Sequence, residues 1–274
     1  MRGKQIMTVT GPVNANLLGT VYSHEHLIVQ PQIPDEKYIA YTLSDENASA
    51  KEVQLFANAG GKTIVEMTPI NYGRDVLAYQ RIAEKTGIYV ICCTGFHKEL
   101  FMPSWFKEKK SSQIYDEVLN EIENGIDKTS IRPGVIKMGT SFENITDQER
   151  RAVEIVARLH QDTGIMISTH CDKGTMGIEQ LDLLEHYGVS AKDVLLGHID
   201  SKHDIDYAKE LCKRGAKICI DHVGRSLSDH DAFCVQLITE LIEAGFVDHV
   251  VLSGDMGKTD YLLSYGGTLD LDIY

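Results

Sequence analysis

The chain has 274 residues, 43% of them hydrophobic and 24% charged, which suits one soluble globular domain with a large core. Lysine and arginine number 27 against 40 aspartates and glutamates, a formal net charge of −13 that argues against a nucleic-acid-binding surface. The first residues lack the apolar stretch of a signal peptide, no segment has the length of a membrane span, and the six cysteines lack C-x-x-C spacing, so buried free thiols in a reducing cytoplasm are expected.

Residues 20–28 read as a first strand, and from residue 60 onward strands alternate with helices. A strand is predicted over 62–68, a helix over 74–86 ended by Gly87, and a strand over 88–94. Ile114, Val118, Leu119 and Ile122 recur at helical spacing within 113–126, and the next strand is 135–138. Thr146-Asp-Gln-Glu149 is a capping box, in which hydroxyl and carboxylate satisfy free amides reciprocally. It opens a helix whose inner face is Ala152, Val153, Ile155, Val156 and Leu159, ended by Gly164. Strands follow at 165–169, 194–199, 217–221 and 250–253, separated by helices near 178–186, 204–214 and 229–244. Eight strands alternating with helices predict a parallel sheet closed into a (β/α)8 TIM barrel, one domain over residues 1–274. No segment after the eighth strand reads as a closing helix, so the barrel is expected to lack, or not to show, its last helix.

Polar residues with metal-ligand chemistry fall at the ends of these apolar runs. They are His24 and His26 in Tyr22-Ser-His-Glu-His-Leu27, Lys137, His170, His198 and Asp255. In a parallel barrel such strand ends converge on one rim, where these folds hold their chemistry. Residues two apart on a strand share a face, so His24 and His26 can seat one ion. His170 and His198 could hold a second, and Asp255 would lie beside the first pair once the eighth strand meets the first. Lys137 is the misfit, because an ammonium is repelled from a metal site. Either it snorkels outside the site, or carbon dioxide converts it to an anionic carbamate that bridges two ions. Isolated histidines such as His203 and His230 read as surface residues.

Ser23-His-Glu-His26, Gly134-Val-Ile-Lys137, Ser168-Thr-His170, Leu196-Gly-His198 and Ser253-Gly-Asp255 together resemble the phosphotriesterase-like family of the amidohydrolase superfamily. The resemblance runs from about residue 9 to the end of the chain. It implies a (β/α)8 barrel with a binuclear centre, usually zinc, with manganese or cobalt as alternatives, that hydrolyses lactones or phosphotriesters. It further implies one ion on His24, His26 and Asp255, a second on His170 and His198, and carboxylated Lys137 between them. Asp255 would take the proton of a bridging hydroxide as it attacks. Asp221-His222 matches a position where the histidine relays protons, which makes His222 a candidate catalytic or substrate-contacting residue. Several lactonases of the family carry arginine there, a departure that bears on long-chain acyl-lactone specificity. Cys171, next to His170, is expected to support the site rather than act as nucleophile.

Loops after the strands should set specificity. Tyr72, Arg74, Lys98, Lys173, Arg225, Ser226, Lys258 and Thr259 fall on the predicted rim, with Tyr72, Lys98, Arg225 and Ser226 as the candidate substrate contacts. Cations there suit an anionic substrate, and the favoured one is the lactone of a phosphorylated sugar acid. The alternatives are an organophosphate triesterase, another amidohydrolase chemistry such as deamination, and a non-catalytic barrel. The aromatic segment from Phe101 to Phe106 could form a lid or a subunit contact, and a homodimer is expected.

Overall fold

In the computed structural model, which describes residues 4–33, 36–225 and 229–267, eight parallel strands form one sheet. A hairpin of β1 (Gln5–Thr8) and β2 (Gly11–Asn14) precedes them. The barrel strands are β3 (Thr20–Glu25), β4 (Gly61–Glu66), β5 (Tyr89–Gly95), β6 (Val135–Thr140), β7 (Ile167–Cys171), β8 (Val194–Gly197), β9 (Lys217–Ile220) and β10 (Val250–Leu252). Each pairs in parallel with the next in chain order. The helices are α1 (Glu46–Asn58), α2 (Val76–Thr86), α3 (Ser104–Glu108), α4 (Ser111–Asn124), α5 (Asp147–Thr163), α6 (Gly177–His186), α7 (Ile205–Lys213) and α8 (Asp229–Glu243). After β10 the described residues form only single turns, at Thr259–Tyr261 and Leu263–Tyr265.

The predicted α5 is present with its capping box. Thr146 Oγ1 accepts from Glu149 N (3.2 Å), and Glu149 Oε2 accepts from Thr146 N (2.9 Å). Ala152, Val153, Ile155, Val156 and Leu159 are buried against β6, and Gly164 ends the helix at φ 69°, a left-handed geometry that suits glycine. Glu149 is itself fully buried, and its other oxygen accepts from Glu99 N (2.9 Å) and the Ser141 hydroxyl (2.6 Å). The helix cap thereby ties the loops after β5 and β6 together.

The hairpin, α1 and the short α3 are not among the elements predicted from sequence. The hairpin strands are four residues long, too short to show a period. In α1 the inner face is built partly from Ala48, Ser49 and Ala50, which mute the apolar stripe; Asp45 caps it by accepting from Asn47 N and Ala48 N (2.9 and 3.0 Å).

The sheet closes differently at its seam. Strands β10 and β3 share no ladder, and the joint is made just past β10. Ser253 Oγ accepts from His24 N (3.1 Å) and donates to Glu25 Oε1 (2.8 Å), while Asp255 N donates to His24 O (3.2 Å). The aromatic segment after β5 packs inward. Phe106 lies edge-on to Phe96 (4.8 Å) and Phe101 stacks on His97 (4.6 Å), both buried.

Candidate metal centre

At the C-terminal rim the six ligand candidates meet. His24 Nε2 and His26 Nε2 lie 3.7 and 3.2 Å from Asp255 Oδ1, and Lys137 Nζ lies 3.1 Å from His24 Nε2. The His198 ring is 4.8 Å from that of His24 and 4.5 Å from that of His170. Lys137 is 2% exposed, so it does not snorkel outward; it points into the cluster.

A second set of groups fixes the orientation of the first. Asp221, fully buried, presents Oδ1 to His198 Nδ1 (3.0 Å) and Oδ2 to His24 Nδ1 (3.3 Å), turning both Nε2 atoms inward. Thr68 Oγ1 bonds His26 Nδ1 (2.7 Å) and donates to Glu66 Oε1 (2.6 Å). Glu66 also accepts from Leu27 N (3.2 Å) and Thr68 N (3.1 Å). Asp221 is noticeable in sequence only as the neighbour of His222, and Glu66 and Thr68 only as the end of a strand. Two site residues adopt the left-handed backbone that non-glycine residues avoid, His198 at φ 63° and Asp255 at φ 43°. Such strain costs about 1–3 kcal/mol per residue and gathers at functional sites.

The electrostatics follow from burial and proximity. Burial, with Lys137 close by, holds His24 well below the ordinary histidine range, and burial with His97 does the same to His170. Burial also lowers the Lys137 amine. For His198 burial is overcome by Asp221, which raises it. Burial would lift Asp255, yet Arg225 and the hydrogen bond from His26 outweigh it and keep that carboxylate well below its usual range.

These residues fit divalent cations. His170 Nε2 is buried without a hydrogen-bond partner, and neutral imidazole nitrogens, a buried amine and an ionised carboxylate face one another across the cluster. Imidazole nitrogens and a carboxylate so arranged are the donor set that divalent zinc takes.

The remaining candidates divide. His222 is 3.8 Å from Asp255 through Nε2, and its Nδ1 bonds Asp200 Oδ2 (2.8 Å). Asp200 also accepts from His230 Nε2 (2.9 Å), and His230 Nδ1 meets His203 Nε2 (2.9 Å); His230 is therefore part of a buried-carboxylate network, not a free surface residue. Tyr72 is buried, edge-on to His26 (5.8 Å) and His97 (4.9 Å). Arg225 pairs with Asp255 (2.7 Å) and donates to Gly254 O (2.8 Å), and Lys98 pairs with Asp172 (2.5 Å). Ser226 lies outside the described residues. Arg74 turns away from the rim to Glu121, Lys173 lies over Phe142 (4.7 Å), and Lys258 pairs with Asp260 (2.7 Å). The Cys171 thiol is buried, which pushes it up to about 12, so it is no nucleophile at neutral pH. His97, in the rim loop that also carries Lys98, lies at a ring distance of 4.3 Å from His170 and so belongs to the site.

Comparison with known proteins agrees with this architecture. A phospho-furanose lactonase of Mycoplasmopsis synoviae is 32% identical, over 98% of this chain and 81% of its own length. The phosphotriesterase homology protein of Escherichia coli is 30% identical, over 91% of this chain and 85% of its own. Among solved structures, a lactonase from Listeria monocytogenes superposes with a TM-score of 0.92 at 31% identity, covering 96% of this chain and 86% of that one. The profile of the Phosphotriesterase family matches residues 4–273, and the chain belongs to that family.

Proposed function

We propose that the protein is a metal-dependent hydrolase that opens a lactone, in the first instance that of a phosphorylated sugar acid. One observation carries the reading. Side chains from the ends of β3, β6, β7, β8 and β10 converge with their free nitrogens and oxygens facing one another, in a chain related over 98% of its length to a phospho-furanose lactonase.

His24, His26 and Asp255 would hold one divalent cation, His170 and His198 a second, and a carboxylated Lys137 would join them. Zinc suits this imidazole-rich set, with manganese or cobalt as alternatives. Bound there, the cations would polarise the ester carbonyl and make water acidic enough to react at neutral pH. Asp255, kept ionised by Arg225 and His26, accepts the proton of the attacking water and returns it to the alkoxide released as the ring opens. His222, oriented by Asp200 and 3.8 Å from Asp255, would relay that proton between Asp255 and the leaving alkoxide. Tyr72 packs edge-on against His26, and Arg225, still paired with Asp255, joins Ser226 and Lys98 in receiving the substrate phosphate. The six described cysteines are buried free thiols, which supports a reducing cytoplasmic setting. The reading includes a homodimer, to be checked by light scattering.

The test compares the metal-loaded protein on a furanose phosphate lactone, its unphosphorylated counterpart and a dialkyl aryl phosphate. Preference for the first supports the reading. Faster turnover of the triester would favour an organophosphatase, and inactivity on all three with both ions bound would overturn the hydrolase assignment. Arg225→Ala should raise KM for the phosphorylated lactone, and an unchanged KM would remove Arg225 from phosphate recognition.

A further inference from the structure

The opposite end of the barrel holds a cavity of about 850 Å³. Residues two apart on a strand share a face, so Val135 lies beneath Lys137 and Ser168 beneath His170. Val65, Ile91, Val135, Leu195 and Val251 form the apolar wall of this cavity. Barrel interiors are normally filled by layers of bulky branched side chains. Here Ser23 and Ser168 stand in the lining, and the space their small side chains leave is open. The hairpin of β1 and β2 supplies the floor through Ile6, Met7 and Pro12.

Two observations separate this cavity from a packing fault. Ser168 is 2% exposed, lines the cavity, and its Oγ has no hydrogen-bond partner. A buried hydroxyl left so has given up its hydration without a replacement. In addition, Lys4, Arg132, Lys192 and Lys217 all line the cavity, and among the described residues none of them is ion-paired with a carboxylate. The carboxylate in the lining, Asp193, faces His160 instead (3.9 Å). In a chain of net charge −13, four uncompensated cations around one apolar cavity form a local reversal of sign.

We propose that this cavity binds a small amphipathic anion. The apolar body lies against the strand starts, the Ser168 hydroxyl bonds a polar atom along it, and a carboxylate or phosphate head meets the cations. None of His24, His26, Lys137, His170, His198 and Asp255 lines this cavity, and Val135 of its wall packs with Met67 and Cys93, so the site is separate from the reacting one. Its volume is that of an ordinary small-molecule pocket, about 300–1,000 Å³.

Calorimetric titration of the metal-loaded protein with octanoate, octyl phosphate, octanol and octyltrimethylammonium tests the proposal. Both anions should bind saturably, the alcohol more weakly and the cation not at all; the tighter of the two anions identifies the head group. Combining Arg132→Ala with Lys217→Ala should weaken anion binding by roughly tenfold. Ser168→Leu, which fills the cavity, should abolish it. Should the leucine variant not fold, the double variant at the cavity mouth carries the test, with metal content as the check on its folding. Absence of saturable anion binding, equal binding of the cation, or affinity unchanged in the double variant would overturn the proposal.

Discussion

Glu25 holds the loop that carries Asp255 without touching the Asp255 carboxylate. Its oxygens accept from Gly254 N and Met256 N (both 2.8 Å), the Ser253 hydroxyl (2.8 Å) and Asp255 N (3.1 Å). Burial lifts Glu25 above the ordinary carboxyl range, and the Met256 and Gly254 amides restrain that rise. The cradle is what permits Asp255 its left-handed backbone.

Glu25→Ala should therefore cost about 2–4 kcal/mol in urea unfolding, because buried amides lose their acceptor. The same variant should lose more activity than metal, since His170 and His198 are untouched. Wild-type stability in that titration would disprove the role assigned to the cradle.

Asp221→Asn should leave the fold intact while weakening metal retention by roughly 10–100-fold, as removal of a group orienting metal-bound imidazoles typically does. Asp221 serves both His24 and His198, so the loss should affect both ions. Dialysis against graded chelator, followed by elemental analysis, reads the effect; equal loss curves for variant and wild type would count against it.

Lys137 offers a direct chemical check. Burial lowers its amine, which favours the neutral form that reacts with carbon dioxide. Protein reconstituted with metal and isotopically labelled bicarbonate should show a carbamate resonance that is absent in Lys137→Ala. That variant should lose activity and recover part of it when propionate fills the vacated space. An unlabelled wild type with full activity would refute the carbamate.

His230 should give the network around Asp200 a pH signature. The hydrogen bond to Asp200 raises its pKa, so its contribution to stability is complete below the unfolded value and fades as pH rises through the folded one. His230→Ala should thus lower Tm more at about pH 5.5 than at about pH 8.5, relative to wild type. A gap that widened with pH would reverse the assignment. Partial exposure keeps the effect small.

The ligand residues could be read from sequence because each one ends an apolar run, and parallel strands must end on a common rim. Asp221, Glu66 and Glu25 could not, since their roles exist only across strands: Glu25 and Gly254 are 229 residues apart. Arg74 and Lys98 show the converse. A cation in a rim loop looks free in sequence, and only packing reveals Glu121 and Asp172 beside it. Likewise α1 was hidden because alanines and a serine pack as well as leucines where helix and sheet approach closely.

The barrel's seam has a consequence for motion. Seven strand pairs are stitched by backbone ladders, whereas β10 meets β3 through Ser253, Glu25 and the Asp255 amide. Leu252, at the end of β10, is 46% exposed. Local opening should begin at this joint, and amide exchange of Val250–Leu252 should outpace that of the ladder between β6 and β7. His24 on β3, His26 just past it and the aspartate beyond β10 stand on opposite banks of that joint, so any cation they share would act as a clasp on the weakest closure of the fold.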